Sequence, residues 1–290
     1  MEDKDYISNL TENDFKYCEE VLNENEEKRV TCVNEIREWL QNNQHLNACE
    51  DTFNILRFLR STKYNIESTK KKINDFYTFK SKVPEWFRTR DPMLPEIQSL
   101  LKIGVFLPLL KRDNNGQLVI IIRTAAHDPS IHKQNDVFKV GMMALDLALK
   151  AEDTSVYGIV AIFDMKGVTL GHAKVLTVQI IKKAVTSWQI YPVRLRALEF
   201  INSPSYIDVV LNIFRFFMTQ KIKNRIHIHG TNYESLHSIV PKEILPEEYG
   251  GTDGKLRDLI DYWHQNVSDS RQWLMETEKN LANTDSSVQL

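Results

Sequence analysis

Cysteine is scarce in this chain and odd in number: Cys18, Cys32 and Cys49 all fall in the first fifty residues, without the paired spacing of a metal site. That excludes a disulfide framework and reads as reduced thiols in the cytosol, with Cys32 serving as packing inside a helical pattern. Long hydrophobic runs are missing too. The longest, such as Leu118 to Ile122 and Ile159 to Phe163, are five residues, where a membrane-spanning helix needs about 20. An excess of one charge is also absent. With 37 basic and 39 acidic residues the formal net charge is -2, which excludes a surface tuned as a whole to nucleic acid, so any basic site must be local. Met1-Glu2-Asp3-Lys4-Asp5 is acidic and polar, the opposite of a secretory start, and a cytoplasmic location is expected. Catalytic signatures are lacking as well: the chain has no G-x-S-x-G, no Walker A loop and no G-x-G-x-x-G, so an enzyme is not expected.

What is present is ample core material. The 290 residues are 42% hydrophobic and 26% charged, enough for a domain of ordinary size with a smaller companion. Apolar Val30, Val33, Ile36 and Leu40 recur at helical spacing between Glu27 and Asn43. A second helix starts at the N-cap Asp51 and carries Phe53, Leu56 and Leu59 on one face, with Arg57 and Arg60 outside that stripe. A third runs from Ile66 to the Pro84 break. Residues 10–90 are therefore expected to form an all-helical unit, with Asp91-Pro92-Met93-Leu94-Pro95 as the junction to the next.

After the junction the period changes. The turn Asp113-Asn114-Asn115-Gly116 leads into Leu118 to Ile122, a short run typical of a buried strand. Further strands are expected at 158–164 and 193–201, alternating with helices at about 135–151 and 173–187. This alternation predicts an α/β unit with a parallel or mixed sheet over 91–253. Residues 254–290 read as two short helices, about 254–266 and 268–282, and a disordered polar tail. No long heptad pattern requires a dimer, and a monomer is expected.

Ser205 to Lys221 is the most informative stretch, a helix opened by Ser205 and Asp208 as an approximate capping box. Asp208, Asn212, Arg215 and Thr219 fall in one narrow polar stripe. Apolar Tyr206, Ile207, Val209, Val210, Leu211, Ile213, Phe214, Phe216, Phe217 and Met218 cover nearly all the rest. Two readings stand: a helix buried between two layers, or a lid with one apolar face over a cavity and another open to a membrane. Basic residues flank it on both sides, Arg194 and Arg196 before, Lys221, Lys223 and Arg225 after. Such residues often just complement a helix dipole, but beside an apolar lid they also suit anionic lipid. His227 and His229, with Asp164 elsewhere, could be imagined as metal ligands. Alternating with Ile226 and Ile228, the histidines read more simply as one polar side of a strand.

The segment Asn54-Ile55-Leu56-Arg57-Phe58-Leu59-Arg60 resembles the helical signature that precedes the CRAL-TRIO lipid-binding domain. Tyr191-Pro192-Val193-Arg194, Phe200-Ile201-Asn202-Ser203-Pro204, Lys223 to Gly230 and Leu245-Pro246-Glu247-Glu248-Tyr249-Gly250-Gly251 then follow in that family's order. The likeness covers about 25–254 and is greatest to the tocopherol-transfer and retinaldehyde-binding branch. It implies a mixed or parallel sheet floor and a helical lid enclosing one hydrophobic small molecule, with no cofactor. It further implies a basic patch for phosphatidylinositol phosphates, on a protein transiently peripheral on membranes. Carried over by position, Arg194, Arg196, Lys221 and Arg225 match the phosphoinositide contacts, with Arg57 or Arg60 adding to them. By strand alternation Ile159, Ala161 and Phe163 share one face and, with Leu198, Phe214 and Met218, are expected to line the pocket. Tyr206, Val210, Ile213 and Phe217 are expected on the lid. Phe216 stands where relatives often have proline, which implies a less kinked lid. A phospholipid exchanger or a lipid-regulated scaffold on the same fold is the alternative.

Overall fold

Four N-terminal helices each start on a side-chain cap. Thr11, Asn25, Asp51 and Asn65 accept the backbone N–H three residues on, opening Glu12–Leu22, Glu26–Asn42, Thr52–Ser61 and Ile66–Lys82. The structure, a computed structural model, describes residues 6–231 and 233–283. The expected N-terminal helical region is present, and the short Pro84–Phe87 turn of helix follows its fourth helix. Pro95, expected in the junction, instead opens the helix Pro95–Ile103, where its missing N–H costs nothing.

The sheet has five strands in chain order: β1 Phe106–Arg112, β2 Leu118–Arg123, β3 Ile159–Asp164, β4 Leu195–Ile201 and β5 Ile226–Ile228. β1 pairs antiparallel with β2, and all other neighbours are parallel. β1 has no counterpart among the strands read from the sequence, because Pro108 interrupts its apolar run. At a sheet edge that proline is tolerated, and its carbonyl accepts the Trp263 indole N–H at 2.6 Å. The β1–β2 turn falls on Asp113 to Gly116 as expected, with the Asp113 carboxylate accepting from Asn115 N and Gln117 N.

Strand alternation sorts the sheet into two cores. Ile120, Ile159, Ala161, Phe163, Leu198 and Phe200 face the side covered by the N-terminal helices through Ile36, Leu56 and Phe76. Val119, Ile121, Val160, Ile162 and Ala197 face the other side, under Leu259, Ile260 and Trp263 of the helix Leu256–Asp269. The helical unit and the sheet therefore share one continuous core. The C-terminal segment straps the two: Leu281 and Ala282 are buried in that shared core, and Asn283 N donates to His45 O at 2.8 Å. The tail expected beyond it, 284–290, lies outside the described residues.

Three helical expectations are corrected. The helix 135–151 is observed as Gln134–Ala148 followed by Glu152–Tyr157, and 173–187 as Leu170–Val175 and Val178–Ile190. The helix expected over 205–221 is shorter, Ile207–Phe217, and lacks the Ser205–Asp208 capping box, since Tyr206 holds the N-cap position without a side-chain bond. At Met218 the backbone turns extended and buries that side chain, and a separate turn of helix, Gln220–Lys223, follows. The lid is thus interrupted at Met218, two residues after Phe216. No helix among the described residues is long and apolar enough to cross a membrane.

Candidate functional site

Register builds the floor. Phe106, Ile122, Phe163 and Phe200 stand side by side across β1 to β4, in the last row of the parallel strands before their carboxyl ends. These four side chains line a cavity of about 170 Å3, at the strand ends where open α/β sheets bind ligands. Phe163 and Phe200 stack at 4.8 Å between ring centroids. The helix Gln134–Ala148 supplies Phe138 and Met142 to the wall, and Val178–Ile190 supplies Trp188. Ile207, Val210, Leu211 and Phe214 close the roof from the lid helix. Their spacing of three and four residues puts them on one face. Phe214 stacks on Trp188 at 5.8 Å, which ties the lid to the wall.

Of the residues expected to line the pocket, Phe163 and Phe214 do so. Ile159, Ala161 and Leu198 face the same core, but one or two rows lower in the sheet, and Met218 is buried beyond the lid's end. The period of two identifies a face; it does not say how far along the strand a cavity reaches. Of the lid residues, Tyr206 and Val210 line the cavity, while Ile213 is 42% exposed and Phe217 packs at the lid's edge against Phe216. Val209, Ile213 and Phe216 form a second apolar face, turned to solvent, with Phe216 81% exposed. Between the two faces runs the expected polar stripe, in which Arg215 donates to Asn212 at 3.1 Å and lies 3.4 Å from Asp208.

A basic cluster lies below the lid's C-terminal end. Lys63, Arg194, Arg196 and Arg225 surround Lys221 closely enough to act on it. Burial first, then these charges, hold Lys221 below the usual lysine value. Burial and Lys221 push the half-buried Lys72 down to about 7. Burial, then Arg196 and Arg194, lower Arg225. Among the described residues none of these six cations forms a salt bridge, although the crevice that Arg196 lines also holds Asp14 and Asp153. Arg194 is buried, with Nη2 donating to Val156 O, Nε and Nη1 unpartnered, and its guanidinium 5.9 Å from the Tyr17 ring centre. It adds charge from beneath. Arg225 donates to Leu195 O. Lys63 and Lys72 come from the N-terminal helical unit, and no spacing in the sequence links them to Lys221.

Arg57 and Arg60 stand elsewhere. Arg60 has no exposed surface: Nε and Nη2 donate to the Glu24 carboxylate at 2.8 and 2.9 Å, and Nη1 donates to Glu152 and Ser155 at 3.0 Å. A cation so enclosed cannot reach a lipid headgroup, so its assignment as a phosphoinositide contact is corrected to an internal pairing. Arg57 donates to Asn54 and lies over Phe53, on the side of Tyr77 and Lys80. His227 and His229 both turn to the buried Glu199, at 2.9 and 2.7 Å, with His229 itself buried. Asp164 accepts from Lys166 N, Asn202 and Tyr249 at the end of β3. Among the described residues no group of three or more His, Cys, Asp or Glu is arranged for a metal.

The chain and its fold have counterparts among known proteins. The family model for the CRAL/TRIO domain matches residues 103–251, and that for the Pinta-like UBA domain matches 25–97. This chain belongs to the CRAL/TRIO domain family. "Alpha-tocopherol transfer protein-like" of Homo sapiens is 30% identical over 253 residues, covering 87% of this chain and 73% of that protein. Clavesin-2 of Rattus norvegicus is 28% identical over 233 residues, 79% of this chain and 71% of the relative. The crystal structure of Sfh5 superposes with a TM-score of 0.55 at 13% identity, covering 84% of this chain and 98% of that one, a likeness of fold alone. Membership of the CRAL/TRIO family carries its general function, lipid binding and transfer, and its domains are typically non-catalytic lipid-binding modules.

Proposed function

We propose that this protein carries one hydrophobic small molecule, a tocopherol, a retinoid or a similar isoprenoid, and delivers it to membranes bearing phosphatidylinositol bisphosphate. It works as a cytoplasmic monomer, peripheral on the membrane during delivery. The observation that carries this reading is the lid: one apolar face roofs an apolar cavity, and a second, Val209, Ile213 and Phe216, is exposed beside a cluster of unneutralised cations.

The magnitudes support a joint action. Burying roughly 400 Å2 of cargo at ~25 cal/mol per Å2 gives about 10 kcal/mol before ordering costs, so release needs a trigger. Four of the cluster's cations engaged at once, at about 1 kcal/mol each, supply roughly 4 kcal/mol at an anionic surface, only about millimolar binding. Inserting the three exposed apolar side chains adds about 4 kcal/mol more, which brings the total to about micromolar. Neither term suffices alone. The cavity, at about 170 Å3, is also smaller than the roughly 300–1,000 Å3 usual for ligand sites, so loading and unloading both require the lid to move outward.

The test is transfer of a fluorescent tocopherol from loaded protein to vesicles with and without phosphatidylinositol bisphosphate. Arg196→Glu combined with Lys221→Glu is expected to slow transfer to bisphosphate vesicles about tenfold or more and to leave uptake of the tocopherol unchanged. Equal transfer by variant and wild type overturns the membrane step. Mass spectrometry of lipid extracted from protein purified from its own cells tests the cargo. An isoprenoid or retinoid supports the carrier, and phospholipid in its place overturns it in favour of exchange.

A further inference from the structure

The cavity wall is apolar apart from the Tyr206 hydroxyl, which donates to Val168 O, and one group of side chains, Arg123, Thr124, His127, Gln134 and His172. Three of these five are already engaged. Arg123 Nη1 donates to the carbonyls of Ile103 and Gly104, at 2.7 and 3.2 Å, and the Thr124 hydroxyl donates to Asp164 O at 2.6 Å. His172 Nε2 lies 3.0 Å from the His127 carbonyl, which can only accept, so this nitrogen carries the proton. His172 Nδ1 then accepts from Thr169 N and Oγ1, at 3.2 and 2.9 Å.

His127 is different. The residue is 5% exposed and neither ring nitrogen meets a partner at full hydrogen-bond geometry, the Gln134 side chain being the one that comes near. Two unpaired polar atoms in a buried wall are unfavourable, and native interiors seldom leave them so. The ring is also held in place: its own backbone carbonyl is tied to His172, and the two rings meet edge to face at 5.1 Å. Burial, then the neighbouring His172, lowers its pKa, opposed by the Gln134 side chain close by, so the imidazole is neutral near pH 7. A neutral imidazole offers one donor and one acceptor.

We propose that His127 is the anchor for the polar end of the cargo, so that the cavity selects an apolar molecule ending in one uncharged hydroxyl or carbonyl group. This rests on the carrier reading above and narrows its substrate class. The floor and lid supply uniform apolar contact along the molecule, and His127, with Gln134 beside it, fixes which end enters first. A hydrocarbon of the same shape leaves the imidazole unpaired, and the site rejects it for that reason.

The test uses two probes of one shape, phytol and phytane, the branched alcohol and its parent hydrocarbon, offered together in neutral vesicles at equal mole fraction. The alcohol-to-hydrocarbon ratio taken up is read by mass spectrometry. His127→Phe is expected to lower that ratio roughly fivefold, the worth of one net hydrogen bond, while His127→Gln, which keeps a donor and an acceptor, retains most of it. In the unaltered protein, the His127 ring nitrogen resonances are expected to shift on loading with phytol and not with phytane, a readout that does not depend on the variants folding. Uptake of both probes with an unchanged ratio in His127→Phe, or no phytol-specific shift, overturns the anchor and leaves the carrier standing. Uptake of neither probe overturns the carrier and the anchor with it.

Discussion

Arg60 and Arg90 have no exposed surface and have carboxylates against them, Glu24 and Glu152 for the first and Asp146 for the second. Lys63, Lys72, Lys221, Arg196 and Arg225 gather nearer the surface with no salt bridge among the described residues, and three of them have lowered pKa values. The contrast shows how one chain uses the same side-chain chemistry twice. Sealed inside, Arg60 and Arg90 each have a counter-charge that offsets the cost of burial, and the pairing ties elements together: Arg60 joins the N-terminal helices to Glu152 of the sheet unit. In the cluster the counter-charge is left out of the fold, so the repulsion is relieved when an external anion arrives.

The sharpest way to break this comparison is Arg60→Ala. It strands two buried carboxylates and is expected to destabilise the protein by about 3–5 kcal/mol in urea denaturation. A loss under about 1 kcal/mol would remove the distinction. Next in size is Phe216→Ser on the lid's outer face, expected to weaken vesicle binding about tenfold while leaving folding stability and cargo uptake unchanged. An equal loss in cargo uptake would mean that the two faces of the lid are not separate in role.

A smaller effect is expected from pH. Lys72 falls from 10.5 in the unfolded chain to about 7 in the folded one. Below about 7 it is charged in both states, and the folded state bears the full cost of burying that charge and setting it near Lys221. As pH rises from about 7 toward 10.5 the unfolded chain holds more protons, so this lysine's contribution to stability rises. A bound anion restores the lysine's charge, so vesicle binding weakens as pH rises through about 7 and above. Comparing wild type with Lys72→Met on the same vesicles is expected to show a several-fold pH effect that the variant lacks; identical profiles would take Lys72 out of the cluster. The smallest change is the stability of Lys221→Met, expected within about 0.5 kcal/mol of wild type. A loss approaching that of Arg60→Ala would show that Lys221 is structurally paired.

Much of the fold was legible because helices and strands leave periodic marks. The cap at Asp51, the buried runs of β2 to β4 and the polar stripe Asp208–Asn212–Arg215 all follow from residue order. β1 was not legible, since Pro108 broke its pattern, and with it Phe106 of the cavity floor was missed. The lid was drawn too long because composition continues past Phe217, whereas burial of Met218 stops the helix. His127 carried no signal at all: a lone histidine before Asp128 and Pro129 reads as a loop residue until its ring is seen unpaired against a cavity.

By itself, then, the sequence determined the class of fold, the apolar face of most elements, a helix near 205–221 that is apolar nearly all round and the lack of any membrane-spanning run. Those properties are local, set by repeats of two and 3.6 residues and by the turn chemistry between them. Only the tertiary structure decided which row of the sheet floors the cavity, that Arg60 is sealed inside, and that Lys63 and Lys72 stand with Lys221. Each of those depends on partners distant in the chain, whose meeting is governed by shared burial and charge and leaves no period in the sequence.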